Sequence, residues 1–294
     1  RNRIVDCSRA SDGEGIGNHL WMERWEKAQV RMTGPVTAEI IDPEGQLKGQ
    51  DLVEAVVEIT GGRGAGQLRM IVERKGNLIQ FEKPWRIDPD ESSICSFTAP
   101  PPFHKQVYVD NHIENTGASI ILWGSSNDVV LDGNTTVYGP GIGVWSCNLT
   151  DHWTNISGGA VYTQVINNTV DVGMLQPDDQ AILRHYAESL PQHGVISNMA
   201  YLPTRDYDFM GLLIRGNCTR NNSGIVLKKT FIVRDRVVES HCAGMVCENN
   251  FAENSEVGII LEKQLPAAVR GNRSKGVKRP IVRFDYQAKT VETD

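Results

Sequence analysis

Two tryptophans hold the same place in two similar hexapeptides, Ser119-Ile-Ile-Leu-Trp-Gly and Gly141-Ile-Gly-Val-Trp-Ser. Trp123 and Trp145 are fifth in each, where Lys228 and Glu262 stand in Gly224-Ile-Val-Leu-Lys-Lys and Gly258-Ile-Ile-Leu-Glu-Lys. If the second and fourth positions point inward, the fifth points outward, and the four side chains form a column on one exposed sheet. Stacked outward indoles would make a flat apolar platform suited to the C–H faces of sugar rings, with the indole N–H free to donate to a hydroxyl. Lys228, Lys229, Glu262 and Lys263 would extend that column, either as polar contacts to ligand or as an exposed ion-pair ladder.

Three groups offer acid–base chemistry. Asp12 and Glu14 flank a glycine. As residues i and i+2 of one strand face they would stand roughly 6.5–7 Å apart at Cα, from a rise of about 3.3 Å per residue. Glycosidases place a protonated acid and an ionised partner about 5–10 Å apart. Arg205-Asp206-Tyr207-Asp208 adds a cation for a sugar carboxylate to two carboxylates, Asp206 and Asp208, for a proton or a metal. Asp151-His152 is a further candidate, with His152 as a ligand contact. Any acidic turn would also satisfy the Asp12/Glu14 spacing, and a loop ion pair is the simpler account of the other two groups. His112, His185, His193 and His241 have no metal-ligand spacing, so no metal site is assigned.

The elements that must carry these residues repeat. The hexapeptides alternate with period two, as a strand with one buried face does. Gly159-Ala-Val-Tyr-Thr-Gln is a looser fifth copy. Between them recur Asp110-Asn111, Gly133-Asn134, Asn167-Asn168, Gly216-Asn217, Asn249-Asn250 and Gly271-Asn272. Asn111 and Asn134 lie 23 residues apart, and Asn250 and Asn272 lie 22 apart. Strands and turns at that period predict a solenoid whose coils must stack to bury their inner faces. Asparagine tolerates left-handed turns and can hydrogen-bond up a stack. Ile120 with Leu122, Ile142 with Val144, Ile225 with Leu227 and Ile259 with Leu261 are the expected inner columns.

Residues 1–30 read as coil strand, notably Asp12-Gly-Glu-Gly-Ile16, and are expected to continue from a longer architecture. Residues 31–106 read as an inserted antiparallel β subdomain, with a turn at Gly76-Asn77. Coils are expected from 107 to 280, broken by an irregular excursion over 176–209 in which Asp178-Asp179 could open a short helix, and followed by a tail over 281–294.

The net charge of −6 gives no overall pull towards nucleic acid, so no nucleic-acid role is expected. No apolar run is long enough to span a bilayer. Lys263 to Arg283 carries seven cations and no acid. It reads as a solvated edge, or as a contact for an anionic sugar or a neighbouring subunit. Six cysteines without zinc-like or disulfide-dense spacing read as small core residues, although Cys242 and Cys247 are close enough in sequence to pair. Triplets such as Asn134-Thr-Thr and Asn148-Leu-Thr match the N-glycosylation acceptor pattern, which Asn-rich turns also generate by chance.

The Gly-Ile-x-Leu strands and x-Asn turns resemble the pectin-lyase-like superfamily of right-handed parallel β-helix proteins. The resemblance covers Val107 to about Val277. The stretch with Gly64-Ala-Gly-Gln-Leu-Arg-Met-Ile, Gly76-Asn-Leu-Ile and Pro84-Trp is similar to an insertion in uncharacterised bacterial members. It implies an all-β, right-handed parallel β-helix with an inserted antiparallel β subdomain, in a secreted or surface protein of bacterial or phage origin. It implies a polysaccharide or oligosaccharide partner, met as a glycoside hydrolase or polysaccharide lyase (with Ca2+ where a lyase), as a non-catalytic glycan-binding or adhesive module, or as a tailspike-like subunit in a homo-oligomer. One fold hosts many chemistries, so the fold does not choose among them. Neither the paired-aspartate motif of polygalacturonases at a strand position nor the lyase pattern of calcium-binding aspartates with an arginine is present.

Overall fold

The computed structural model describes residues 1–7, 14–20, 23–25, 28–99, 103–124, 126–148, 157–171, 195–201, 209–233, 236–285 and 290–293. Every regular element among them is a strand. One coil runs through a long wall at Ala118–Gly124, a corner wall at Ser126–Asn127, a front wall at Val130–Asp132 and a back wall at Thr135–Val137. It then re-enters the long wall at Gly141–Asn148. Each strand pairs in parallel with its counterpart one coil on: Ile120 with Ile142, Ser126 with Ala160, Val130 with Gln164, Thr135 with Thr169. An all-β chain of stacked parallel sheets fits a β-helix solenoid.

The inner columns follow from this register. In the long wall one position is isoleucine in every coil: Ile16, Ile120, Ile142, Ile196, Ile225, Ile259 and Ile281. Leu122, Val144, Leu227 and Leu261 fill the neighbouring column, and Leu131, Val165, Ile214 and Cys247 face them from the front wall. Burial pushes the Cys247 thiol up to about 12, and Cys242 and Cys247 are both free, so the possible pairing between them is not made.

Asparagine closes each coil between front and back walls. The Nδ2 groups of Asn2, Asn111, Asn134, Asn168, Asn217 and Asn250 each donate to the Oδ1 of the next asparagine, ending on Asn272, at 2.8–3.0 Å. The same Oδ1 accepts the backbone N–H of the preceding asparagine. The second Nδ2 proton goes to a backbone carbonyl, as from Asn168 to Leu131 and from Asn217 to Val165. Both donors and the acceptor of Asn134, Asn168, Asn217 and Asn250 are used, which makes a fully buried amide tolerable. The residue before each rung is left-handed and alternates Asx with glycine: Asp110, Gly133, Asn167, Gly216, Asn249, Gly271. A Cβ on Gly216 would stand 2.7 Å from Asn167 Oδ1, so glycine is required between two Asx coils.

The sequence misplaces several stretches. Residues 23–25 and 29–30, read as coil, belong to the antiparallel insert, and Phe103–His104, read as insert, is a corner-wall strand. Residues 195–201, inside the expected excursion, form long-wall strand Val195–Tyr201. Ile196 continues the isoleucine column there, but Asn198 in place of an aliphatic hides the pattern. Gly159-Ala-Val-Tyr-Thr-Gln belongs to the corner wall through Ala160–Val161, not to the long wall. The expected tail holds long-wall strand Arg279–Asp285, with Thr290–Thr293 pairing antiparallel to it. The possible helix at Asp178-Asp179 lies outside the described residues.

An antiparallel sheet with its own core interrupts the coils. Its order is Glu23–Trp25, Ile94–Ala99, Val56–Gly61, Leu68–Lys75, Leu78–Phe81, Thr37–Ile41, Gln29–Met32. It is rolled so that Gln29–Met32 meets Ile94–Ala99. Ile40, Val57, Ile59, Ile71, Phe81, Trp85 and Phe97 fill it. Gly76-Asn77 is the expected two-residue turn, with Gly76 at positive φ.

Two substitutions test the stacking. Asn168→Ala orphans the buried N–H of Asn134 and one of its amide protons, so denaturant unfolding should show a loss of about 2–4 kcal/mol. Thr136 points inward with a hydroxyl that has no hydrogen-bond partner among the described residues, so Thr136→Val should gain about 1 kcal/mol.

Candidate functional site

Several of the breaks between successive coil strands fall directly after long-wall strands. The antiparallel insert follows Glu14–Leu20, residues 149–156 follow Gly141–Asn148, residues 202–208 follow Val195–Tyr201, and the hairpin Thr230–Val233/Arg236–Glu239 follows Gly224–Leu227. Binding residues concentrate on loops held by a rigid scaffold. Arg205, Asp206, Asp208, His152 and Asp12 lie outside the described residues, as does Asp151. In the chain Arg205, Asp206 and Asp208 follow Tyr201 by four, five and seven residues, and His152 follows Asn148 by four.

Trp123 and Trp145 are partners in register and half-buried. Their column continues to His19 on one side and to Met199 on the other. Neither neighbour is anticipated in the sequence reading. His19 was accessible to it, since it follows Ile16 by the three residues that separate Trp123 from Ile120. The expected flat platform is not what forms. The rings meet edge to face, with centroids 5.7 Å apart and planes at 67°. The cause is Gly143: a Cβ there would stand 2.6 Å from Trp145 Nε1, so the indole folds back over the glycine instead of standing off the sheet. Edge-to-face geometry satisfies the ring quadrupoles and leaves a notch instead of a plane.

Lys228 and Glu262 do not extend an exposed strip. They are 8% and 4% exposed. The outward positions beside them, Val226, Ile260 and Val282, are also buried and form a second small core with Val257. Glu262 is occupied by backbone: Oε2 accepts Lys229 N and Thr230 N, each at 2.8 Å, and Oε1 accepts Thr230 Oγ1 at 2.5 Å. It clamps the point where the chain leaves the wall for the hairpin. Asn198, buried in the inner column, makes the matching contact from the preceding coil, donating to Lys228 O at 2.6 Å and accepting Lys228 N at 2.9 Å.

Glu14 opens long-wall strand Glu14–Leu20 opposite Ala118, five residues before His19, roughly 16 Å along the strand from the tryptophan column. It is not brought to Trp123. Among the described residues no group of three or more His, Cys, Asp or Glu side chains could hold a metal ion. The cation-rich stretch pairs back onto the preceding coil. Arg270 bonds Glu248, Lys275 lies by Glu253, and Lys278 and Arg279 lie by Glu256. Arg270 and Arg215 together hold the Glu248 carboxyl below the usual carboxylate range.

No protein-family model matches the chain, and no curated protein matches it. Among solved structures it is similar to the tailspike gp61 of Pseudomonas phage phi297, at 10% identity and a TM-score of 0.27, over 100% of this chain. The chain spans 65% of that tailspike's length.

Burial lowers the Lys228 pKa to about 8, against an opposing pull from Glu262. Between about pH 8 and 10.5 the unfolded chain therefore holds a proton that the folded chain has lost, so stability rises with pH across that window. The rise is at most roughly 3.5 kcal/mol, from about 1.4 kcal/mol per pK unit. Urea titrations from pH 7 to 10.5 should show it in the wild type and not in Lys228→Met. An equal slope in both would assign it elsewhere.

Proposed function

We propose that this chain is a carbohydrate-handling, right-handed β-helix protein of the pectin-lyase-like type, secreted or surface-borne, that holds a polysaccharide against the outer side of its long wall. The observation that carries this reading is the Trp123–Trp145 pair. Two half-buried indoles sit in register on adjacent coils, beside the strand ends from which the loops depart. Apolar ring surface kept partly open next to loop ends suits the C–H face of a pyranose, and the coil spacing of about 4.8 Å is close to the width of one sugar ring.

Turnover is the finer reading. Asp206 and Asp208 are its acid–base pair and Arg205 its contact for an acidic sugar, with His152 as a further ligand contact. Asp12 and Glu14 are the weaker pair, because Glu14 stands far along the strand from the tryptophans. Lys228 and Glu262 act in this reading as supports for the hairpin rather than as ligand contacts. Ca2+ would serve a lyase. No helix among the described residues is long and apolar enough to cross a membrane.

Binding and turnover separate experimentally. Trp145→Ala should weaken binding to the preferred polysaccharide by about tenfold or more, about 1.4 kcal/mol, while leaving thermal unfolding close to wild type. A screen that reads unsaturated products and reducing ends separates lyase from hydrolase, and Asp206→Asn should abolish either without loss of binding. Retained binding with no turnover on any polymer leaves the module reading. Binding unchanged in both Trp123→Ala and Trp145→Ala removes the proposal.

A further inference from the structure

The asparagines that build the ladder coincide with acceptor sites for N-glycosylation. The motif Asn-x-Ser/Thr occurs at Asn134-Thr-Thr, Asn217-Cys-Thr and Asn272-Arg-Ser, and again at Asn148-Leu-Thr, Asn155-Ile-Ser, Asn167-Asn-Thr and Asn221-Asn-Ser. The coincidence in the first three is architectural. A rung asparagine is followed by an outward residue and then by the inward residue of the back wall, and in these coils that inward residue is Thr136, Thr219 or Ser274. Rungs Asn111, Asn168 and Asn250 have Ile113, Val170 and Ala252 at that place, and so carry no motif.

Asn134 and Asn217 have no exposed surface. Each spends both amide protons inside the stack, Asn134 on Asn168 Oδ1 and Tyr108 O, Asn217 on Asn250 Oδ1 and Val165 O. Glycosylation makes a C–N bond from that same Nδ2 to the anomeric carbon of a lipid-diphosphate-linked oligosaccharide. The C–O bond to the diphosphate breaks, and one amide proton is lost. The product has one donor where the ladder needs two, and a bulky sugar where the coil leaves no space. Asn167 and Asn221 differ. They sit at left-handed turns on the outside, Asn167 exposed and Asn221 half-exposed, and their side-chain amides donate to the surface carboxylates of Asp132 and Asp171.

We propose that a glycan on Asn134 or Asn217 and the folded solenoid exclude one another, and that the unfolded chain is a competent acceptor at these rungs. The protein then folds efficiently only where oligosaccharide transfer to Asn-x-Ser/Thr does not reach it before the coils close, while Asn167 and Asn221 remain tolerant positions.

The test sends the full chain, behind a secretion leader, through a eukaryotic secretory pathway with and without an inhibitor of lipid-linked oligosaccharide synthesis. Glycan positions are mapped by mass spectrometry in the protease-resistant and protease-sensitive fractions. Glycans at Asn134 or Asn217 should be confined to the sensitive fraction, and those at Asn167 and Asn221 should also occur in the resistant one. The inhibitor should raise the resistant fraction several-fold. Thr136→Val/Thr219→Val/Ser274→Ala, which removes the three motifs and keeps every rung asparagine, should do so without the inhibitor. The inhibitor arm uses the native sequence and so stands even if that variant folds poorly. Resistant protein glycosylated at Asn134 or Asn217 overturns the proposal. So does a resistant yield that the inhibitor leaves unchanged.

Discussion

Each carboxamide oxygen of the ladder accepts two hydrogen bonds from the coil behind it, one from a side chain and one from the backbone of the same residue. That pair of bonds leaves a coil one position to occupy. In a strand with one buried face, a slip by one residue turns the whole inner set outward. The hydrophobic columns resist such a slip only in proportion to the apolar area lost. The asparagines resist it by geometry, because a displaced rung leaves buried donors and an acceptor unpaired at once. The isoleucine column across the long wall and the register of Trp123 on Trp145 both inherit their alignment from this restraint, although neither touches it.

A solenoid pinned in this way varies in chain length on both sides of the long wall: residues 172–194 precede Val195–Tyr201, and the corner that follows the long wall varies as well. The back wall keeps three residues and the front wall three or four, while the chain after the long wall ranges from the single residue Ser125 to the insert that begins at Glu23. The corner is also where the outside of the sheet is covered. The Glu262 clamp and the buried Val226, Ile260 and Val282 make the lower coils closed on that side, whereas the coils with Trp123 and Trp145 stay partly open. The functional reading rests on that asymmetry between coils of one repeat.

The parts legible in the sequence are those with a fixed spacing and a single physical cause. The ladder asparagines and the aliphatic columns recur at coil length and are found as expected. Val195–Tyr201 was hidden because its fourth position is Asn198, a polar residue that serves the neighbouring coil's backbone instead of the core. The burial of Lys228 and Glu262 was not legible either. Their place in the repeat implies exposure, and only the hairpin that departs one residue later reverses it. Trp145 was correctly placed but wrongly oriented, since its lean depends on the glycine two residues before it, which could equally have marked a bulge.

Tyr162 shows how the insert is held to this frame. It occupies the left-handed position that the corner wall gives to Lys105, Asp128, Gly211 and Gly244 in other coils, at φ 54°. A bulky side chain there is strained by about 1–2 kcal/mol relative to the ordinary backbone. Local preference would place Asn or Gly, so the tyrosine must gain elsewhere. Its ring packs on Gly211 of the next coil, and its hydroxyl reaches the Cα of Gly66 in the insert, where any Cβ would stand 1.8 Å from the oxygen. Partial burial, with Glu58 nearby, raises the phenol's pKa. A second contact, Glu23–Trp25 against Ser157–Gly158, ties the insert to the residues that pair with the end of Trp145's own strand. The two contacts fix the insert relative to the tryptophan notch from two directions. A strained residue whose neighbours on both sides are glycines is therefore best understood as the peg that converts an accessory β subdomain into a rigid rim for the long wall.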